Sequence, residues 1–203
     1  MVTIKENINI LDEINEYEVI LIGTNVYNTL SGGVQREVSL KYPYVQEKNL
    51  STLYGDVKKM GTILECHEEG NPLIVLLYIT KGYGFQTHKE FDYLSYESLE
   101  QCLQLVNVLY KGKKIATTFL GATRFDGNGN KDQILEIFNK VLTNVDVTIY
   151  DYKQLSAQEV GRIAYEKFLK LSPEERKKAV SEQKKRLNNK PNRYFNGKKT
   201  ITS

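Results

Sequence analysis

The chain is 203 residues long, which suits one domain with an appendage or two small domains. Hydrophobic residues make up 40% and charged residues 26%, and 14 Tyr with 7 Phe supply large side chains, so the composition is that of a soluble globular protein with a real core. The longest apolar run, Leu73 to Ile79, is too short to span a bilayer, and the opening MVTIKENINILDE lacks the basic-then-apolar pattern of a signal peptide. Cys66 and Cys102 cannot make a disulfide framework, and His67 and His88 cannot fill a metal site unaided. The expectation is a cytoplasmic protein with reduced thiols, without metal, cofactor or membrane partner.

The net charge of +3 hides an asymmetry. Residues 1–152 carry 14 Lys/Arg against 20 Asp/Glu, a net of −6, whereas residues 153–203 carry 14 against 5, a net of +9. The body is acidic and the tail basic.

Glu18 to Gly23 is a short apolar run ending in glycine, which predicts a strand buried on both faces. Gly33 to Tyr42, with Val34, Val38 and Leu40 as apolar positions, predicts a short helix stopped by Pro43. Thr62 to Cys66 and Leu73 to Ile79 read as strands, and the turn chemistry of Glu68 to Pro72 joins them as a hairpin. Ser95 to Tyr110 places Leu99, Cys102, Leu103, Val106 and Leu109 on one helical face, with Ser95 as N-cap and Gly112 as the stop. Lys114 to Leu120 is another strand. Asn130 to Leu142 is a helix with Ile134, Ile137, Phe138 and Val141 on one side, and Asp146 to Tyr150 closes the series as a strand. Strands alternating with helices mean a sheet with helices on its faces, and the hairpin makes that sheet mixed.

The tail differs. Ser156 to Glu159 and Ser172 to Glu175 are capping boxes, the second with Pro at the first helical position. They predict helices over about 157–171, with Val160, Ile163, Ala164, Phe168 and Leu171 apolar, and about 173–187, which is mostly charged. The first is expected to dock on the body or on a second copy. Residues 188–203 read as frayed.

Two glycine-rich loops leave strands and enter helices, where open α/β sheets place ligands. The first runs from Gly23 to Val34 and contains Asn25, Gly32 and Gly33; the second runs from Leu120 to Asn130. Glycines at a helix start let backbone N–H groups approach an anion that the helix dipole favours. On neighbouring strands the two loops would form a cleft for two phosphates; alone, each also reads as an ordinary turn. His88 lies in an aromatic, glycine-rich stretch, Lys81 to His88. It could line the cleft as a general base, although a surface histidine is the plainer reading. His67 and Cys102 read as structural.

Asn25-Val-Tyr-Asn-Thr-Leu-Ser-Gly-Gly-Val34, followed by Lys41-Tyr-Pro43, resembles the first ligand loop of macro domains. The similarity is to the ADP-ribose-1″-phosphate phosphatase branch and to macro domains encoded by bacteriophages. Tyr54-Gly-Asp-Val-Lys-Lys-Met-Gly61 is similar to a Gly-Asp and Lys-x-Gly segment of that branch, and Lys114 to Gly121 sits where the family has the strand before its second phosphate loop. The resemblance covers residues 1–152 and implies a three-layer α/β/α sandwich with a mixed central sheet, macro-domain-like, followed by a basic helical extension over 153–203.

It also implies an ADP-ribose site. Asn25 would bond the distal ribose, and Gly32, Gly33 and Val34 would offer N–H groups to the pyrophosphate, so that a branched side chain at Gly33 would block binding with the fold intact. Gly121 to Gly127 would close over the other phosphate, with Phe125 beside the distal ribose. Gly23, Thr123, Arg124 and Gly127 complete the expected ligand set. The sequence departs from the family at Thr123 and Asp126, which replace glycines, and Arg124 can compensate with a charge-assisted phosphate contact. Ile22 stands where the phosphatase branch has a proton-transferring His, leaving Asp126 alone. For the Asp with which the family reads the adenine amine, the candidates near the start are Glu6, Asn7 and Asp12, and the choice among them stays open.

These features favour binding of ADP-ribose or a related nucleotide derivative over turnover. In a bacteriophage the role would be anti-defence, the capture of a host immune signal. One alternative is a hydrolase of ADP-ribose-1″-phosphate or ADP-ribosyl groups using Asp126 or His88. Another is a nucleic-acid-binding or virion-associated structural protein using the basic tail.

Overall fold

The computed structural model describes residues 1–82, 94–123, 127–152 and 169–176. The contact pattern divides the chain into Met1–Lys153 and Gln154–Ser203.

The first unit is built from β1 (Val2–Glu6), β2 (Val19–Asn25), α1 (Gly33–Lys41), α2 (Pro43–Leu50), β3 (Ile63–Cys66), β4 (Leu73–Thr80), α3 (Tyr96–Leu109), β5 (Lys114–Thr118), α4 (Lys131–Val141) and β6 (Asp146–Asp151). Short 3-10 turns lie at Ile10–Asp12, Ile14–Glu16 and Val57–Lys59. One six-stranded sheet has the order β1-β6-β5-β2-β4-β3. Only β3 runs antiparallel, paired with β4 as the expected hairpin, whose turn is closed by Asn71 N–H on Glu68 O and by Gly70 at φ +80°.

β2 is buried at all seven positions and β4 at every position after Leu73, which requires cover on both faces. On one face α3 and α4 pack Leu99, Leu103, Val106, Ile134 and Phe138 against Leu21, Val75, Leu77 and Ile115. On the other, α1, α2 and the first two 3-10 turns pack Val38, Val45, Ile10 and Ile14 against Ile20, Ile22, Ile74 and Leu76. The first unit is therefore a three-layer α/β/α sandwich. Ser95 is the N-cap of α3 as expected, and Asn130 proves to be the N-cap of α4. Ser95 accepts from Ser98 N–H at 3.2 Å, and Asn130 accepts from Asp132 and Gln133 N–H at 2.8 and 3.1 Å.

Four local readings need correction. Val2-Thr3-Ile4-Lys5-Glu6 is a sixth strand, formed because β6 offers it an edge in parallel register, Val2 opposite Val147 through Glu6 opposite Asp151. Pro43 does not merely end a helix. α1 stops at Lys41, and Pro43 opens α2, at a position where its missing N–H and fixed φ suit a helix start. Leu40 and Leu109 are exposed, since the core-facing stripes of α1 and α3 pass through Val38 and Val106 instead.

In the second unit, residues 169–176 contain the expected capping box. Glu175 accepts from Ser172 N–H at 2.8 Å, and Ser172 Oγ accepts from Glu175 N–H at 3.4 Å. The Ser172 N–H, then its hydroxyl, hold the Glu175 carboxyl below its usual range. The remainder of the helices expected over 157–171 and 173–187 lies outside the described residues. Among the described residues no helix is long and apolar enough to cross a membrane.

Candidate functional site

β2 and β5 are parallel neighbours, but they pair only at Val19 opposite Ile115 and Ile20 opposite Ala116, near their N-terminal ends. Beyond that the Thr117 hydroxyl still reaches Leu21 O at 3.1 Å. The chain leaves β2 toward α1 on one face and leaves β5 toward α4 on the other. This is the switch point at which open α/β sheets form a crevice. The two glycine-rich loops flank it.

In the first loop Asn25 ends β2 and is buried. Its Nδ2 donates to Thr29 O at 2.9 Å and Thr29 Oγ1 at 2.8 Å, and its Oδ1 accepts from Tyr27 N–H at 2.9 Å. The amide folds the loop back on itself. Gly23 lies inside β2, where a Cβ would meet Ile79 Cδ1 at 2.8 Å, so its glycine serves sheet packing. Gly32 is the N-cap of α1 and makes no side-chain cap bond. It has an extended backbone, φ −129° and ψ 155°, and a Cβ built there would find nothing within 4 Å. Gly33 has φ +48° with equally open space. Gly33 and Val34 N–H groups sit in the first helical turn, where no intrahelical acceptor exists, and among the described residues neither has a partner. Among the described residues nothing stands over this helix start, where Gly32 is half-buried and Gly33 exposed. Gly33 is not the neutral probe it seemed, because a branched residue there would be strained with or without ligand.

The second loop is compact for reasons of its own. Gly129 N–H donates to Gly121 O at 2.9 Å, while Gly127 and Asn128 N–H donate to Thr123 O at 3.2 and 2.9 Å. A Cβ at Gly121 would sit 2.7 Å from Leu94 Cδ1, and one at Gly127 would sit 2.8 Å from Gly121 O. Its glycines thus serve close packing on Leu94 and on the loop itself. Thr123 is exposed. Lys131, at the start of α4, bonds both Asp151 oxygens at 2.5 and 2.6 Å and lies 5.0 Å from the Phe119 ring centre, tying the loop's exit to β6. Arg124, Phe125, Asp126 and His88 lie outside the described residues.

Of the candidates near the start for reading adenine, Glu6 ends β1 and is exposed, Asn7 adopts φ +60° with its N–H on Asp151 O, and Asp12 is exposed in a 3-10 turn. The structured acid at this edge is Glu13, which the sequence did not single out. Its Oε2 accepts from Lys5 Nζ and from the Tyr150 hydroxyl, each at 2.5 Å, and Tyr17 OH lies 2.8 Å from Tyr150 OH. Lys5, then Tyr150, hold the Glu13 carboxyl below its usual range; burial, then Glu13, push the Tyr150 phenol upward. Ile22 is fully buried opposite Leu76 and has no chemistry to offer. A polar cluster joins Asn28 of the first loop to Thr52, Lys59 and Tyr78; Asn28 and Lys59 stand in two segments of the resemblance, but nothing in the sequence shows that they meet. Among the described residues no three His, Cys, Asp or Glu side chains gather as a metal site.

Solved structures similar to this chain include macrodomains. The macrodomain of Mycobacterium tuberculosis DarG matches 75% of this chain and 99% of its own, at 14% identity and a TM-score of 0.54. That of Thermus aquaticus DarG matches 74% and 99%, at 15% identity and a TM-score of 0.55. Thermosipho africanus DarTG, solved in complex with ADP-ribose, matches 71% of this chain and 41% of its own, at 14% identity and a TM-score of 0.51. At these identities the likeness is one of fold. No family model and no curated protein matches the chain.

Proposed function

We propose that the chain binds ADP-ribose, or a related nucleotide derivative, in the crevice between the loops that follow β2 and β5. The observation that carries this reading is the start of α1. Gly32 and Gly33 leave open space above first-turn N–H groups, at the switch point of the sheet. In this reading Gly33 and Val34 N–H hold the pyrophosphate, and the second loop, Gly121 to Gly127 with Thr123, Arg124 and Phe125, meets the other phosphate and the distal ribose. Asn25 contributes by shaping the first loop, since its amide bonds Thr29 and Tyr27. The macrodomain fold and the ADP-ribose complex of one similar structure support the choice of ligand.

Binding without turnover is the favoured mode. Ile22 occupies the place of a proton-transferring residue and is fully buried. A protein that holds an ADP-ribose-type signal without consuming it would act by capture, and the resemblance to bacteriophage-encoded domains suggests anti-defence as the setting. Calorimetry with ADP-ribose, ADP-ribose-1″-phosphate and cyclic nucleotides tests the reading. Saturable 1:1 binding of an ADP-ribose compound, without phosphate release, is expected, and no heat from any of them would refute it.

A further inference from the structure

Asn28, four residues before Gly32, is buried and adopts φ +59°. A left-handed residue costs energy even for asparagine, so something outside the loop must hold it. Asn28 Nδ2 donates to Thr52 O at 2.8 Å, and Thr52 Oγ1 donates to Asn28 Oδ1 at 3.2 Å. Lys59 Nζ donates to Asn28 Oδ1 and, at 3.2 Å, to Thr52 Oγ1, and lies 4.8 Å from the Tyr78 ring centre. Gln46 Nε2 donates to Asn28 O at 3.3 Å. Among the described residues no carboxylate forms an ion pair with Lys59. Burial holds its ammonium below the usual lysine range, with Asp56 opposing. A half-buried ammonium with no ion pair gives up part of its hydration, and here neutral oxygens and a π-face take its place. One of those oxygens belongs to the ligand loop.

We propose that Lys59 is the positioning residue of the first ligand loop: its ammonium fixes Asn28 in the left-handed conformation and so sets the path of the chain from Asn25 to the Gly32–Gly33 turn. A surface lysine would leave the loop indifferent to its removal. This one joins the loop to the turn before β3 and to β4, so the loop inherits order from the sheet. The consequence for ligand affinity rests on the proposed function; the consequence for loop order does not.

The test is hydrogen exchange on the full chain without ligand, paired with ADP-ribose calorimetry, for Lys59→Met and Lys59→Arg. In Lys59→Met the Tyr27 and Thr29 amides, which donate to Asn25 Oδ1, should exchange about ten-fold faster, the loss that removing a hydrogen bond to a charged group brings. Amides of β2 and β5 should keep wild-type protection, and ADP-ribose affinity should fall by a similar factor. Lys59→Arg keeps a cation over Tyr78 and donors toward Asn28, so it should recover most of both losses. Unchanged loop exchange in Lys59→Met, a rise spread equally over β2 and β5, or Arg behaving like Met would overturn the proposal. If loop exchange responds as expected while the wild type binds no ADP-ribose, the role of Lys59 stands and the proposed ligand falls.

Discussion

Replacing Gly32 by valine puts a branched side chain into the open space at the start of α1. The backbone there, φ −129° and ψ 155°, is one that β-branched residues prefer, and a Cβ meets nothing within 4 Å. The unliganded protein should therefore tolerate the change. Reducing the freedom of the unfolded chain is worth about 0.4–1 kcal/mol, and valine in place of glycine at the N-cap of α1 costs about as much, so Tm should stay level to within roughly 3 °C. Binding should not be spared. At a ligand concentration about 100 times Kd, the wild type gains about 2.7 kcal/mol, or roughly 5–10 °C of Tm. In Gly32→Val that gain should vanish, because the valine methyl groups occupy the volume assigned to the pyrophosphate. Gly33→Val makes the contrast: φ +48° imposes a cost of about 1–2 kcal/mol before any ligand is added. Differential scanning fluorimetry with and without ADP-ribose reads all three proteins. A full ligand shift in Gly32→Val would remove the first loop from the site, and a large drop in its unliganded Tm would show that the space is not free.

Three further outcomes are expected. No steady phosphate release from ADP-ribose-1″-phosphate should be seen, given the buried Ile22; turnover that disappears in Asp126→Ala would prove the hydrolase reading instead. Burial pushes the Cys66 thiol up to about 11 and the Cys102 thiol up to about 12, so neither should react with a thiol reagent at pH 8 until the protein unfolds, and rapid labelling of the folded chain would contradict this. The Glu13 carboxyl is depressed in the folded state, so its stabilising effect is present above the ordinary carboxylate pKa and lost as pH falls through the lower folded value. Glu13→Gln should flatten that acid limb of the stability profile, and Tyr150→Phe should cost about 1 kcal/mol at neutral pH; an unchanged limb in Glu13→Gln would show that the Lys5 contact does not persist in solution.

The fold was legible wherever burial imposed a one-dimensional pattern. β2 and β4 read as strands because both their faces are covered, and α3 and α4 read as helices because each carries one apolar face, α3 with Ser95 to announce it. β1 was illegible because it is an edge strand: Val2, Thr3 and Ile4 carry too little alternation, and the partner that makes them a strand lies some 145 residues away. α2 was missed because a proline signals both an end and a beginning. In the site, the first loop was legible through its paired glycines. Three glycines of the second loop proved to have a packing cause, Leu94, which lies outside the motif. The contacts of the Glu13 and Lys59 clusters were not legible, although Asn28 and Lys59 stand in segments that carry the resemblance, since hydrogen bonds between remote segments obey no local period.

The pairing of β1 with β6 brings Met1 to Val145 and Glu6 to Asp151, so the chain entry and the last strand of this unit share one edge of the sheet. Such a contact spans nearly the whole unit, and closing so long a loop is entropically unfavourable until the intervening sheet exists. The edge should therefore zip last. A circularly permuted first unit, with Tyr152 joined to Met1 through a linker of about a dozen residues, long enough to run back along the parallel β1–β6 pair, and new ends opened in the exposed Glu68–Gly70 turn, would bring the two strands far closer in sequence. It should fold faster than the natural order at similar stability.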